Sequence, residues 1–192
     1  AIALAAADCI KRGIDVKPEI MIPIVCDEKE LEILRTRAKN VIQRVFADYK
    51  KAADNIRIGS MIEVPRAALR AGKLSKFADF FSFGTNDLTQ MTFAFSRDDA
   101  VKFLPAYLEQ NIFETDPFKS IDEEGVGELV RIASERARTE KPDIKLGICG
   151  EHGGDPATID FCYRVGLNYV SCSPFRVPAA RLAAAQAVVR NK

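Results

Sequence analysis

Three apolar, strand-like runs in this sequence each end on side chains that can bind a metal ion, hold an anion or move a proton. The residues at the three ends are Glu63, the stretch Gly84-Thr85-Asn86-Asp87, and Cys149. The runs that lead to them cover residues 56–62, 78–83 and 144–148. In parallel α/β folds, ligands bind at the carboxyl ends of the strands. If these strands are neighbours in one parallel sheet, a carboxylate, an Asn-Asp pair and a thiol are predicted to converge on one site.

The two carboxylates, Glu63 and Asp87, are candidate ligands for Mg²⁺. In proteins this ion typically takes one or two carboxylates, and substrate oxygens and waters complete its coordination. The same residues are also compatible with an ion pair or with helix capping, since Asp87 is a plausible N-cap for a helix that starts at Leu88. Their spacing alone leaves both interpretations open.

Gly84, Thr85 and Asn86 supply backbone N–H groups and polar side chains just before this predicted helix. The N-terminus of a helix attracts anions because its first N–H groups lack intrahelical partners. The stretch is therefore a candidate anion-binding loop. A tight turn with local capping explains the same residue types, and the sequence contains no Walker-type loop or GxGxxG motif.

Cys149 lies in a glycine-rich turn, where its thiol could act as an acid, a base or a nucleophile. A free cysteine has a pKa of about 8.5, so the thiol is mostly protonated near neutral pH and could give a proton to an enolate or carbanion. A nearby cation would lower the pKa and favour a nucleophilic thiolate. A buried structural thiol is the alternative, and it is the preferred interpretation for Cys9, Cys26, Cys162 and Cys172.

His152 is the only histidine of the chain and lies in the same glycine-rich turn. The spacing Cys-x-x-His, with Cys162 and Cys172 further on, brings a zinc site to mind. The later spacings match no usual zinc finger, however, and two of the cysteines lie in apolar element patterns. A turn or loop residue near the site is therefore the preferred interpretation of His152. For Arg97 and Arg176, anion binding and ion pairing both remain open.

The composition is that of an ordinary globular domain and gives no support to binding of nucleic acid or of a membrane surface. Of the 192 residues, 47% are hydrophobic and 29% charged, and the formal net charge is +1. No apolar run approaches the ~20 residues of a membrane span. The odd number of scattered cysteines favours a soluble protein of a reducing compartment over a disulfide framework. The chain opens on an alanine-rich helix pattern without an initiator Met, so we expect it to begin inside a longer protein.

Strands and helices alternate along the sequence, which predicts an α/β fold with one parallel sheet. The predicted strands cover residues 18–25, 56–62, 78–83, 144–148 and 168–173. The predicted helices cover residues 2–12, 28–53, 65–71, 121–140, 156–165 and 175–189, with one more from residue 88. Residues 96–119 are predicted to be irregular, as in a lid or an interaction surface. Five such units fit an open doubly wound sheet or, as we prefer, the last five units of a (β/α)₈ TIM-type barrel.

Three motifs, in order along the chain, resemble the C-terminal domain of the phosphoenolpyruvate-utilising enzymes. They span residues 59–65 (GSMIEVP), 81–92 (FSFGTNDLTQMT) and 147–156 (GICGEHGGDP), and the ending at residues 169–178 (YVSCSPFRVP) is similar to one member of the family. The resemblance covers nearly the whole chain. It implies a (β/α)₈ barrel of which this chain supplies the last five units.

The resemblance also implies a role for each residue at the three strand ends. Glu63 and Asp87 would bind Mg²⁺, which bridges to phosphoenolpyruvate or pyruvate. Cys149 would be the acid/base that protonates the enolpyruvate carbon, or deprotonates the pyruvate methyl in reverse. The residues implied to contact the substrate are Gly84, Thr85 and Asn86.

Partners follow from the same resemblance. In this family a histidine on a separate swivelling domain carries the phosphoryl group, and His152 does not lie in the motif of that histidine. The nucleotide-binding and phosphohistidine domains are absent from residues 1–192, which correspond to the C-terminal part of the barrel domain. The family dimerises through this domain, which implies a homodimer. Two alternatives stay open: the equivalent domain of another phosphoenolpyruvate-utilising phosphotransferase, and a fragment that acts only as a dimerisation module.

Overall fold

A computed structural model describes residues 1–47 and 55–191, and within them the strands form one five-stranded sheet. The strands are β1 (Glu19–Ile22), β2 (Arg57–Ile62), β3 (Phe80–Gly84), β4 (Lys145–Cys149) and β5 (Tyr169–Val170). Neighbouring strands are parallel and pair in the order of the sequence. The predicted α/β fold with a parallel sheet is therefore confirmed. A doubly wound sheet needs a reversal of strand order, and the described strands show none.

Helices connect the strands and cover the sheet. They are α1 (Ile2–Lys11), α2 (Glu28–Val45), α3 (Pro65–Leu69), α4 (Ala71–Ser75), α5 (Thr85–Phe93), α6 (Arg97–Glu109), α7 (Val126–Glu140), α8 (Pro156–Val165) and α9 (Val177–Arg190). Short 3₁₀ turns at Glu151–Gly154 and Pro174–Arg176 precede α8 and α9. Among the described residues, no helix has the length and apolarity needed to cross a membrane.

The main hydrophobic core lies between the sheet and the helices. Its fully buried side chains include Phe81 and Phe83 of β3, Leu146 and Ile148 of β4, and Val130 of α7. Burying one such side chain stabilises a fold by about 1.5–3 kcal/mol. Since successive side chains of a strand point to opposite faces, the residues between these apolar ones face away from the helices. That second face carries the candidate site.

Most helix ends agree with the sequence. Gly13 and Gly166 follow α1 and α8, and both have positive φ angles, of 75° and 76°, as is common after a helix. The start of α5 differs: the helix begins at Thr85 with Gly84 as its N-cap, so Asp87 lies in the first turn and is not the cap. The predicted helical residues 48–53 lie outside the described part of the chain.

The prediction that residues 96–119 are irregular is wrong for the stretch that forms α6. Pro105, a residue that normally breaks helices, lies inside this helix. Ala100 and Leu104 are buried here against Phe118. An aromatic cluster packs around them and holds α6 on the protein; its members are Phe95, Phe103, Tyr107 and Phe113.

Two further boundaries differ from the prediction. Helix α7 begins at Val126 rather than at residue 121, because Asp122 Oδ2 accepts hydrogen bonds from the N–H groups of Gly125 and Val126, at 3.0 and 3.2 Å. Strand β5 is only two residues long. Its successor Ser171 still donates its N–H to the carbonyl of Ile148, at 2.9 Å, so the chain continues beside β4.

An ion pair between Arg35 and Asp79 fastens α2 to the amino end of the sheet. Arg35 Nη2 lies 2.7 Å from Asp79 Oδ1, and Arg35 Nη1 donates to the carbonyls of Ile58 and Phe77. Asp79 Oδ2 accepts the N–H of Ile58 at 2.8 Å. Burial opposes ionisation of Asp79, but the hydrogen bonds from Arg35 and Ile58 outweigh it and lower the pKa of this carboxyl group.

Replacing Asp79 with asparagine is therefore expected to reduce the free energy of unfolding by about 1–3 kcal/mol near neutral pH. Because the pKa is lowered in the folded state, the contribution is complete above the unfolded pKa of about 3.9 and is lost as the pH falls through the folded value. Urea unfolding at a series of pH values measures it. The exposed pair Arg12–Asp8 supplies the control Asp8→Asn, for which a change below about 0.5 kcal/mol is expected. Equal effects of the two variants would contradict the role given to Asp79.

Candidate active site

The three strand ends converge, as the sequence predicts. Gly84 is the register partner of Cys149 across β3 and β4. Ile62 pairs with Phe83 across β2 and β3, so Glu63 comes next to Gly84 at the same edge. All three residues lie at the carboxyl ends of their strands and on the face opposite the helical core.

Glu63 is buried, with 2% of its surface exposed, and its carboxylate is held by the backbone after β1. Its Oε1 accepts the N–H of Ile24 at 2.6 Å. Ile24 has a φ of 54°, a conformation that is rare for a β-branched residue. Burial raises the pKa of Glu63, the hydrogen bond from Ile24 opposes this shift, and the nearby Asp87 carboxylate raises the pKa further.

The close approach of Glu63 to β3 requires glycine at position 84. A Cβ atom added to Gly84 would collide with Glu63 Oε2 and lie only 2.8 Å from Glu63 Cβ. The missing side chain thus leaves the space in which the Glu63 carboxylate turns toward Asp87. Sequence alone indicated a turn glycine at this position, whereas the structure shows a packing requirement.

Replacing Gly84 with alanine is expected to displace the Glu63 carboxylate and to weaken Mg²⁺ binding by about tenfold or more. Calorimetric titration with Mg²⁺ measures the affinity. Gly13→Ala is the control, because an added methyl group there meets open space but the φ of 75° is strained. The control should lose about 1 kcal/mol of stability and keep its Mg²⁺ affinity. An unchanged affinity of Gly84→Ala would show that Glu63 need not occupy its present position.

Asp87 is partly exposed in the first turn of α5, and a hydrogen-bond chain sets its orientation. Gln90 Nε2 donates to Asp87 Oδ1 at 3.1 Å, and Gln90 Oε1 accepts the N–H of Arg97 at 2.8 Å. Sequence reasoning missed Gln90, although its position three residues after Asp87 on a helix is a usable signal.

The site chemistry fits a divalent cation that binds through oxygen. Burial and the charge of Asp87 both raise the pKa of the Glu63 carboxyl group, and two arginines pair with other acids: Arg66 with Asp27 at 3.0 Å, and Arg97 with Glu151 at 3.6 Å. The described residues contain no group of three or more His, Cys, Asp or Glu side chains placed to hold a metal. Mg²⁺ needs only one or two carboxylates beside substrate oxygens and waters.

Cys149 is half-buried beside these carboxylates, and its Sγ lies 3.6 Å from the carbonyl oxygen of Phe83. Burial raises the pKa of the thiol, Ser82 opposes the shift, and the charges of Glu63 and Asp87 raise the pKa further. The thiol therefore keeps its proton near neutral pH. This environment favours a proton donor over a nucleophilic thiolate.

The turn after β4 lies against Asn86, which is partly exposed. Gly150 has a φ of 102°, which favours glycine, and a Cβ added there would lie 3.0 Å from Asn86 Oδ1. The same oxygen accepts the N–H of Glu151 at 3.3 Å. Arg176 Nη1 donates to the Glu151 carbonyl at 3.4 Å, so this arginine contacts the turn itself.

His152 was expected in a turn near the site, and it does lie in the 3₁₀ turn, but it is fully buried. Its Nδ1 is 2.7 Å from Thr85 Oγ1, and its Nε2 is 2.9 Å from the carbonyl oxygen of Pro117. Thr85 is also fully buried, and its hydroxyl is 3.1 Å from the Cys149 carbonyl. Both ring nitrogens of His152 therefore have protein partners, which argues against the zinc alternative.

The other cysteines are not uniformly buried, contrary to the sequence-based interpretation. Cys162 is buried on α8, and burial raises the pKa of its thiol to about 12. Cys26 is exposed, and Cys9 and Cys172 are intermediate. Among the described residues, Cys149 is thus distinguished by its neighbours Glu63 and Asp87 rather than by burial alone.

Comparison with known proteins places the chain in a family. Residues 2–189 match the family model of the PEP-utilising enzymes, PEP-binding domain. The chain is 58% identical over 181 residues to a pyruvate, phosphate dikinase of Clostridium symbiosum, covering 94% of this chain and 20% of that protein. It is 54% identical over 189 residues to pyruvate, phosphate dikinase 2 of Oryza sativa subsp. japonica, covering 98% of this chain and 21% of that protein. The chain thus spans about a fifth of the length of these relatives, and it belongs to the phosphoenolpyruvate-utilising enzymes, where it matches the PEP-binding domain of the pyruvate, phosphate dikinases.

Proposed function

We propose that this chain is the Mg²⁺-dependent phosphoenolpyruvate/pyruvate-binding catalytic domain of a pyruvate, phosphate dikinase. Such an enzyme converts ATP, phosphate and pyruvate to AMP, pyrophosphate and phosphoenolpyruvate through enolpyruvate. The observation that supports this most is that the Cys149 thiol lies at the same sheet edge as the carboxylates of Glu63 and Asp87, where burial and these two charges raise the pKa of the thiol. A proton donor and a cation site are what enolate chemistry requires.

Substrate binding would use groups at the start of α5. Glu63 and Asp87 would hold Mg²⁺, which when bound supplies positive charge against the negative charge that develops on the substrate oxygen. The first N–H groups of α5 lack intrahelical partners and would meet the anionic groups of the substrate. Asn86 is partly exposed beside them and can add a side-chain contact. Because the Thr85 hydroxyl is engaged inside the protein, its contribution would come from the backbone.

Cys149 would move the proton. Toward pyruvate, the thiol gives its proton to the methylene carbon of the enolate, the electron pair of the carbon–carbon double bond forms the new C–H bond, the enolate oxygen becomes the carbonyl oxygen, and a thiolate remains. In the reverse direction the thiolate removes a methyl proton. The raised pKa keeps the resting thiol protonated, which suits the direction toward pyruvate, whereas the reverse direction requires the thiol to lose its proton first.

The same proposal includes a complete barrel, a phosphohistidine domain and a homodimer. The five strands would be part of a (β/α)₈ barrel completed by three further units of a longer chain, and the phosphohistidine domain of that chain would deliver the phosphoryl group. A homodimer would form through α9 and the 3₁₀ turn before it, where apolar side chains are exposed: Phe175 of the turn by 96%, and Leu182 and Val189 of the helix by 61% and 72%. Leu182→Glu is then expected to convert a dimer into a monomer in sedimentation experiments. Identical sedimentation of Leu182→Glu and of the wild type would contradict a dimer through this surface.

Deuterium incorporation into the methyl group of pyruvate, followed by proton NMR in D₂O, tests the proposed chemistry. Exchange faster than in buffer is expected with Mg²⁺ and should stop when the metal is chelated. Exchange that is indifferent to Mg²⁺, or no exchange by a protein that binds Mg²⁺ and oxalate, would contradict the roles given to the carboxylates and to Cys149. A dimerisation module without chemistry would give no exchange and no oxalate binding.

A further inference from the structure

His152 is the one buried titratable group at the described site to which the proposed chemistry gives no role. It is 0% exposed and follows Cys149 in the turn after β4. We propose that His152 is a positioning residue, which accepts the Thr85 hydroxyl and so holds the turn that carries Cys149 against the start of the substrate-binding loop. The inference rests on the proposed function, because it assigns His152 a part in the same proton transfer.

The hydrogen-bond partners define how His152 acts. A carbonyl oxygen only accepts, so Nε2 must carry the proton that is donated to Pro117, at 2.9 Å. In the neutral ring Nδ1 is then an acceptor, and the Thr85 hydroxyl donates to it at 2.7 Å. The Cys149 carbonyl, 3.1 Å away, is the other possible acceptor of this hydroxyl, and the single proton can serve only one of the two. With a neutral ring, His152 itself therefore links the turn that carries the thiol to Thr85.

The surroundings support a neutral ring. Burial lowers the pKa of His152, and the Pro117 carbonyl opposes this shift together with three acids. These acids are Asp155, Asp116 and Glu151. The fixed tautomer makes Nδ1 a permanent acceptor for Thr85. If the ring were protonated, Nδ1 would donate and the hydroxyl would have to turn toward the Cys149 carbonyl.

Through these contacts His152 joins three segments at one point. It ties the end of β4 to the start of α5, and it ties both to the segment that contains Pro117. The hydrogen bond from the Glu151 N–H to Asn86 runs alongside. Glu63 and Asp87 do not depend on this cluster for their own contacts. Loss of His152 should therefore shift the thiol relative to the substrate while the metal ligands stay in place.

Two substitutions separate the hydrogen bonds of the ring. The amide of asparagine reaches the position of Nδ1 and can keep the bond to Thr85, whereas the amide of glutamine reaches the position of Nε2 and can keep the bond to Pro117. A misplacement of about 1 Å can lower a rate by about 100-fold. We expect His152→Gln to lose about 10- to 100-fold in methyl exchange and His152→Asn to lose much less. Both should bind oxalate with Mg²⁺ within about threefold of the wild type, since the metal ligands are untouched.

Thr85 supplies the second pair of variants and a signal that needs no ligand. Thr85→Val removes the hydroxyl and should match His152→Gln in exchange rate, while Thr85→Ser keeps the hydroxyl and should lose much less. Because His152 is the only histidine of the chain, its ¹⁵N NMR signals need no assignment. The Nε2–H tautomer is expected in the wild type and in Thr85→Ser, and a shifted Nδ1 signal in Thr85→Val.

The outcomes separate this inference from the proposed function. A wild type without Mg²⁺-dependent exchange overturns the proposed function and the role of His152 with it. A wild type that exchanges, with equal rates in both His152 variants or in both Thr85 variants, overturns the positioning role alone. An Nδ1–H tautomer of His152 in the wild type also overturns the positioning role alone. If the His152 variants do not fold, the Thr85 pair and the tautomer still decide the question.

Discussion

Cys149→Ala is expected to lower the Mg²⁺-dependent exchange of the pyruvate methyl protons by about 10²- to 10⁴-fold. The reason is that the alanine side chain can neither give nor take a proton at the carbon that reacts. Oxalate binding with Mg²⁺ should stay within about threefold of the wild type, because the metal site consists of Glu63 and Asp87. Proton NMR measures the exchange, and calorimetry measures the binding.

Cys162→Ala is the matched control for this variant. It removes the same thiol from α8, where the side chain is buried in the core between sheet and helices. We expect its exchange rate to match the wild type and its stability to fall by about 1 kcal/mol. Loss of oxalate binding by Cys149→Ala in step with its loss of exchange would identify Cys149 as a structural thiol.

Asp87→Asn is expected to weaken Mg²⁺ binding by about 100-fold, because it removes a ligand charge and leaves the shape of the side chain unchanged. The metal-free protein should become slightly more stable, since the buried Glu63 carboxylate no longer faces a second negative charge. Calorimetric titration with Mg²⁺ measures the first effect, and thermal unfolding with a chelator measures the second. A lower Mg²⁺ affinity together with a higher stability of the metal-free protein is characteristic of a site whose carboxylates repel each other until a cation binds.

Asp98→Asn makes the same chemical change at an exposed position on α6. It should alter neither Mg²⁺ affinity nor stability beyond about 0.5 kcal/mol. If Asp87→Asn behaved like Asp98→Asn, Asp87 would not be a metal ligand and the pair with Glu63 would have only a structural role.

The convergence of the site could be predicted because it depends on one strong rule of parallel sheets. The apolar runs before Glu63, Gly84 and Cys149 fixed the strands, and parallel pairing brings their carboxyl ends to one edge. That the strands are neighbours was a condition of the prediction, and consecutive strands joined by helices tend to meet it. These inferences need only the local pattern of apolar residues.

Hydrogen bonds between polar groups that are far apart in the sequence could not be predicted in this way. Nothing in the sequence says that the hydroxyl of Thr85 meets His152, which is far along the chain, or that Ile24 donates to Glu63. The histidine looked like a turn residue because it lies among glycines, yet those glycines let the turn pack down and bury it. Tertiary packing decided its environment.

The helix α6 was missed although its apolar pattern is present in the sequence. The prediction of an irregular segment gave more weight to Pro105 and to the polar residues around it than to this pattern. Ala100, Leu104 and Phe118 form a small separate core, which stabilises a helix whose intrinsic propensity is poor. Packing also decided the start of α5. Gly84, which the approach of Glu63 requires, is the N-cap of this helix, and Asp87 therefore lies in its first turn instead of at the cap.

Titration of oxalate, which mimics the enol form of pyruvate, with and without Mg²⁺ is the most direct measurement. Binding that requires the metal, and that Asp87→Asn or Gly84→Ala weakens, is the expected result. Equal affinity with and without Mg²⁺ would contradict a metal-bridged site at Glu63 and Asp87. So would a lack of binding both by this chain and by a protein extended to eight β/α units.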